Sequence, residues 1–183
     1  MKVDNISGWL GQAIRVPSPN YDERPAHTVI DLIVIHSISL PPGEYGGPFI
    51  DALFTNSLAA DAHPYFQDIH AMRVSAHALI RRDGAIVQYV PFHLRAWHAG
   101  ESCFENRARC NDYSIGIELE GSDEVPYEPA QYQALAELIQ ALSAAYPTLS
   151  PQRLVGHCDI APGRKTDPGP AFDWQQLRRL IGY

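Results

Sequence analysis

Two histidines, an aspartate, a lysine and a glutamate supply the residue types of a hydrolytic metal site. His36 and His157 each follow a short apolar run, Thr28–Ile35 and Arg153–Gly156, and stand 121 residues apart, so only a fold can bring them together. Asp167 comes ten residues after His157, in Lys165-Thr166-Asp167-Pro168-Gly169. There Pro168 and Gly169 hold a tight turn that presents the carboxylate. Hydrolytic zinc sites take three protein ligands and keep a fourth position open for water, and strand ends aim fixed side chains into a cleft. The same residues also suit plainer roles, a hydrogen-bonded histidine at a strand end and an Asp-Pro-Gly turn. His27, His63, His70, His93 and His98 follow no positional pattern.

Lys165 is one of only two lysines, Lys2 being the other, among fourteen basic residues. A compact point charge on a flexible stem suits a developing oxyanion; the alternative is a solvated turn lysine. Glu118 interrupts Ser114-Ile115-Gly116-Ile117-Glu118-Leu119, a stretch otherwise fit for burial. A half-buried carboxylate beside an activated water serves as a general base, its pKa raised by its surroundings. The alternative is a solvated face, since Glu120 shares it.

Such side chains need rigid elements behind them. Thr28–Ile35 is β-branched and apolar on both faces, which predicts a central strand ending at His36. Ser37 to Asp61 is Pro- and Gly-rich, with a helical turn only at Ile50–Phe54, and reads as a wall or lid over a cleft. Ala76–Arg82 and Ala85–Val90 flank Asp83-Gly84 and predict a hairpin with a type I′ turn. Tyr113–Glu120 predicts a strand with Ile115, Ile117 and Leu119 on one face and Gly116, Glu118 and Glu120 on the other. From Pro129 to Tyr146 the period turns helical, with Tyr132, Leu135, Leu138, Ile139 and Leu142 in one stripe and Pro147 as the stop. A short strand at Arg153–Gly156 and a helix at Phe172–Ile181 complete the reading. The expected fold is α/β (α+β), a central mixed sheet flanked by helices, in a single domain over residues 1–183.

Composition narrows the function further. The 183 residues are 45% hydrophobic and 19% charged, enough apolar surface to exclude disorder. Twenty-one acidic against fourteen basic residues, a formal net charge of -7, argue against a nucleic-acid binder. No apolar run approaches the ~18 residues of a membrane span. The N-terminus carries an acid early and lacks the apolar core of a signal peptide, so a cytoplasmic location is expected. The three cysteines, an odd count without a CxxC, make no disulfide framework.

Several longer segments carry a resemblance. Leu40-Pro41-Pro42-Gly43-Glu44-Tyr45-Gly46-Gly47-Pro48, Val74-Ser75-Ala76-His77, Ile80-Arg81-Arg82-Asp83-Gly84 and Arg95-Ala96-Trp97-His98-Ala99-Gly100 are four of them. The others are the run from Cys110 to Gly121 and the run from Gly156 to Pro170. Together they resemble the AmpD-type 1,6-anhydro-N-acetylmuramyl-L-alanine amidases, from about Gly8 to Trp174. That resemblance implies a cytosolic zinc enzyme of peptidoglycan recycling, acting on an anhydro-muropeptide, with no protein partner expected. It implies His36, His157 and Asp167 as zinc ligands, Glu118 and Lys165 as catalytic residues, and Arg73 and Arg109 as anchors for substrate carboxylates. Many relatives in the wider superfamily carry a catalytic tyrosine immediately before the position of His77. Ala76 stands there, which leaves the role to Glu118. Ser37 stands where the nearest relatives are expected to have Asn, which bears on one substrate hydrogen bond.

Overall fold

The computed structural model describes residues 1–182. Its strands are β1 (Ile14–Arg15), β2 (Tyr21–Asp22), β3 (Leu32–Ile38), β4 (Ala78–Ile80), β5 (Ile86–Gln88), β6 (Arg95–Ala96), β7 (Cys103–Phe104), β8 (Arg107–Ala108), β9 (Ser114–Glu120) and β10 (Leu154–Gly156). Its helices are α1 (Phe49–Phe54), α2 (Phe66–Ile69), α3 (Pro129–Ala145), α4 (His157–Ile160) and α5 (Trp174–Ile181). Six strands form one mixed sheet in the order β1-β5-β4-β9-β3-β10, while β2 pairs β6 and β7 pairs β8 in small ribbons. The four strands β4, β9, β3 and β10 run parallel, so the ends of β9, β3 and β10 lie at one edge of the molecule. The α/β reading holds.

β3 and β9 are buried on both faces because each face meets a different layer. Ile33, Ile35, Ile115, Ile117 and Leu119 pack with the α3 stripe of Tyr132, Leu135, Leu138, Ile139 and Leu142. Leu32 and Val34 pack on the opposite side with Cys110, Tyr113 and Ile160. Pro129 opens α3 at its first position, and the backbone N–H of Glu128 donates to Gln131 Oε1 at 3.0 Å. α5 begins at Trp174 rather than Phe172, because Asp173 is its cap and accepts from the Gln176 N–H at 2.8 Å.

Two further sequence expectations need correction. β3 starts at Leu32 and runs on to Ile38, so His36 sits within the strand and not at its end. Thr28–Asp31 stay outside it, and the Asp31 carboxylate is held by Arg107 and Arg153. The β4–β5 hairpin forms antiparallel as expected, but its turn is not type I′. Gly84 has φ +86 while Asp83 is not left-handed; the Gly84 N–H donates to the Arg81 carbonyl and the Arg81 N–H to the Ala85 carbonyl. That is a three-residue loop closed by a left-handed glycine, which one positive φ suffices to make.

The segment after β3 is a packed wall. Leu40, Ile50, Leu53, Phe54 and Leu58 are buried in one cluster with Phe66 and Tyr89. The Gly46 N–H donates to Glu120 Oε1 at 2.6 Å, and Asp51 is held by Arg81 and by the Tyr89 hydroxyl. On the other side, Arg24 ties the chain around the start of β9. Its guanidinium donates to the carbonyls of Phe92, His93, Asn111, Asp112 and Ser114, and burial pushes its pKa down to about 10. Arg24→Met should therefore lower stability by roughly 1–3 kcal/mol for each carbonyl left without a donor, read as a drop in the chemical denaturation midpoint.

Candidate metal centre and active site

Register builds the site. Across the parallel pair, His36 on β3 lies opposite Glu118 on β9. Gly156 on β10 lies opposite Ile35 on β3, so His157, the next residue and the first of α4, arrives beside His36. Strands about 4.8 Å apart thus set Glu118, His36 and His157 in a row across the sheet.

Asp167 joins them through a pinned turn. The Cys158 N–H donates to the Asp167 carbonyl at 3.0 Å, and the Tyr127 hydroxyl to the Pro168 carbonyl at 2.8 Å. Gly156 permits the approach, since a Cβ there would stand 2.8 Å from Pro168 Cδ. The Asp-Pro-Gly turn and the end of β10 are therefore fitted to each other.

His36 Nδ1, His157 Nδ1 and Asp167 Oδ2 converge, with separations of 3.0 Å between the nitrogens and 3.3 and 3.1 Å to the oxygen. Two ligands about 2.0–2.1 Å from a tetrahedral zinc stand about 3.3 Å apart, so the donor set and its spacing fit that ion. His157 Nε2 faces the Ala99 carbonyl at 3.2 Å. A carbonyl only accepts, so the proton sits on Nε2 and the Nδ1 lone pair faces its two neighbours. Three such atoms within 4.8 Å of one another form a donor set compatible with a bound metal ion. The two histidines are buried and Asp167 is partly so.

Electrostatics follow the same geometry. Burial pushes the His36 pKa down to about 4, against the pull of Asp167. Burial also acts to raise Asp167, but the adjoining His157 and His36 rings outweigh it and hold the carboxyl well below its usual range. Glu118 goes the other way: burial, with the nearby Asp167 charge, pushes its pKa well above the carboxylate range, and Lys165 offsets part of this. Glu118 Oε2 is buried without a protein partner.

A cleft of about 550 Å³ opens over these groups, lined by His36, His157, Asp167, Glu118 and Lys165, with Trp97 and Tyr65 among the apolar walls. Residues 26–170 match the family described as N-acetylmuramoyl-L-alanine amidase. The chain is 62% identical over 174 residues to the 1,6-anhydro-N-acetylmuramyl-L-alanine amidase AmpD of Salmonella typhimurium strain SL1344, covering 95% of this chain and 92% of that protein. This chain is an N-acetylmuramoyl-L-alanine amidase of the AmpD type. The fold agrees: a crystal structure of a selenomethionine AmpD derivative superposes with TM-score 0.95, at 60% identity and 99% coverage of each chain. AmiD of E. coli, in complex with anhydro-N-acetylmuramic acid-L-Ala-D-gamma-Glu-L-Lys, superposes with TM-score 0.60 at 34% identity, covering 86% of this chain and 60% of that one.

In this amidase the structure gathers His36, His157, Asp167, Glu118, Lys165 and Ser37 around one cleft. Arg73 and Arg109 lie outside its lining. Arg73 is exposed and donates to the carbonyls of Ala71 and Met72, although its neighbours Met72 and Val74 do line the cleft. Arg109 is exposed, with φ +61, and pairs with Asp112. The alternative of a solvated face on β9 does not hold: Glu118 and Glu120 are both buried, and Glu120 is held by the N–H groups of Gly46 and Arg82. His98, which followed no pattern in the sequence, touches the site directly, its Nδ1 2.9 Å from His36 Nε2. Its neighbours Ala96, Trp97 and Ala99 gave no periodic signal that would have marked it. All three cysteines are free, and no helix among the described residues is long and apolar enough to cross a membrane.

Proposed function

We propose that the chain is one zinc amidase domain hydrolysing the amide between the lactyl group of 1,6-anhydro-N-acetylmuramic acid and L-alanine of the stem peptide, in cytosolic muropeptide recycling. The observation that carries this is the pairing of the convergent His36, His157 and Asp167 atoms with a buried, unpartnered Glu118 oxygen in the same cleft. The AmiD complex with an anhydro-muropeptide supports the substrate class. His36 Nδ1, His157 Nδ1 and Asp167 Oδ2 would hold the zinc. When bound, zinc supplies polarisation of the scissile carbonyl and acidification of a water.

Glu118 Oε2 takes the proton of the attacking water and passes it to the leaving alanine nitrogen. A buried carboxyl of raised pKa suits a group that must hold the proton before passing it on. Lys165, at the cleft, stabilises negative charge on the former carbonyl oxygen. Ser37 offers a hydroxyl to the substrate, and Arg73 and Arg109 at the surface beyond the cleft suit the carboxylates of a stem peptide, where arginine forms paired hydrogen bonds.

Mass spectrometry of a purified anhydro-muropeptide after incubation tests this reading. The expected products are the anhydro-sugar with its free lactyl acid and a peptide with an N-terminal L-alanine, and a chelator should abolish their release. Cleavage at another bond, or undiminished release under chelation, would overturn it.

A further inference from the structure

The two nitrogens of His36 have different surroundings. Nδ1 faces His157 and Asp167, whereas Nε2 lies 2.9 Å from His98 Nδ1. Behind His98 the contacts continue: its Nε2 is 3.1 Å from Ser114 Oγ, and that hydroxyl donates to the Cys110 carbonyl at 2.6 Å. The direction of every proton in this line follows from its far end. A carbonyl only accepts, so the Ser114 hydrogen is committed to Cys110. Ser114 then offers His98 only lone pairs, which places the His98 proton on Nε2. His98 Nδ1 is thereby a bare acceptor and takes the proton of His36 Nε2–H. His36 is left with an unprotonated Nδ1, on the side where His157 and Asp167 converge.

We infer that His98 is a positioning residue for the metal centre, fixing the tautomer and ring direction of His36. The inference rests on the proposed metal site, and three further features show that the His98 ring has a built seat. Gly116 on β9 lies beneath it, and a Cβ at that position would collide with the ring. Asn111 Oδ1 accepts from the backbone N–H groups of both His98, at 3.1 Å, and Ala99, at 2.8 Å, which fixes the segment. The Ala99 carbonyl is the partner of His157 Nε2. One dipeptide therefore orients both histidine ligands, by a side chain for His36 and by a carbonyl for His157. Partners of this kind hold ligand tautomers and are worth about 10–100-fold in metal affinity.

Chelator competition on three proteins tests the inference. His98→Phe keeps a ring in the seat but removes the acceptor, and zinc affinity should fall about 10–100-fold. His98→Asn loses volume but can place Oδ1 near the position of Nδ1, and should recover most of that loss. A packing role gives the reverse order, with Phe near the parent and Asn weaker, and that result would overturn the inference. Nitrogen-15 NMR of the unaltered metal-free protein provides a test without any substitution: His98 should carry its proton on Nε2, and a proton on Nδ1 would overturn it equally. Failure of the parent protein to bind zinc would instead strike the proposed function, since the tautomer is read without metal.

Discussion

Replacing Glu118 by Gln should lower kcat by about 10²–10⁴-fold, the usual contribution of a general base, while zinc stays bound at the level of the parent. Glu118 neighbours His36 across the β3–β9 register but contributes no atom to the His36, His157 and Asp167 cluster. Gln keeps the length and one acceptor oxygen and cannot take a proton. KM should change little, because the carboxylate acts on the water rather than on the sugar. Steady-state kinetics beside metal analysis decides the point. Near-normal turnover would remove Glu118 as the base, and loss of zinc together with activity would move it among the ligands.

The same carboxyl sets a pH dependence in two observables. In the metal-free protein its pKa is raised by burial and by the Asp167 charge, and in the active enzyme the acid limb of kcat/KM that this carboxyl sets should vanish in Glu118→Gln. Stability moves with the opposite sense. The native state holds the Glu118 proton more tightly than the unfolded chain does, so this group contributes no penalty below the unfolded value of about 4.3. Its contribution becomes steadily less favourable as pH rises toward the native value. A tenfold change in proton affinity is worth about 1.4 kcal/mol. In metal-free protein, the Tm difference of Glu118→Gln relative to the parent should therefore shift in favour of the variant as pH rises above the ordinary carboxylate range. A difference that does not change with pH would show that the native carboxyl titrates normally.

How much of this was legible in the sequence depends on how local each signal is. The α3 stripe, the β4–β5 hairpin and the face of β9 that carries Ile115, Ile117 and Leu119 are local patterns, and they appear where the periods placed them. The end of β3 was misplaced because the apolar run stops where chemistry begins. His36 and Ser37 occupy strand positions that a purely structural strand would fill with apolar residues. The burial of Glu120 was hidden because its partners, Gly46, Arg81 and Arg82, come from a loop and a hairpin about 40–75 residues upstream. His98 was hidden for the same reason: its seat is made by Gly116, Asn111 and Ser114, and its function by His36. A histidine in a loop has no period to betray it, and the parallel register of β3 against β9 is what brings His36, Gly116 and Ser114 to one place.

Removing the Asp167 carboxylate should act on the metal first and on turnover only through it. In Asp167→Ala two histidine nitrogens remain, and the cluster loses both its third donor and the one carboxylate in it. Zinc affinity should drop by more than the ~10–100-fold that loss of an outer partner costs, read by chelator competition and by metal content after dialysis. The fold should survive, because the turn is anchored through backbone groups, the Asp167 carbonyl to Cys158 and the Pro168 carbonyl to Tyr127. Asp167→Asn separates charge from donor count: its side-chain oxygen can still face the histidines but carries no charge, so its affinity should fall between Ala and the parent. Excess zinc then distinguishes the two kinds of defect. Activity of the Asp167 variants should rise as zinc is titrated in, whereas Glu118→Gln, already loaded, should not respond. An Asp167→Ala protein that retains full zinc through dialysis would take Asp167 out of the ligand set.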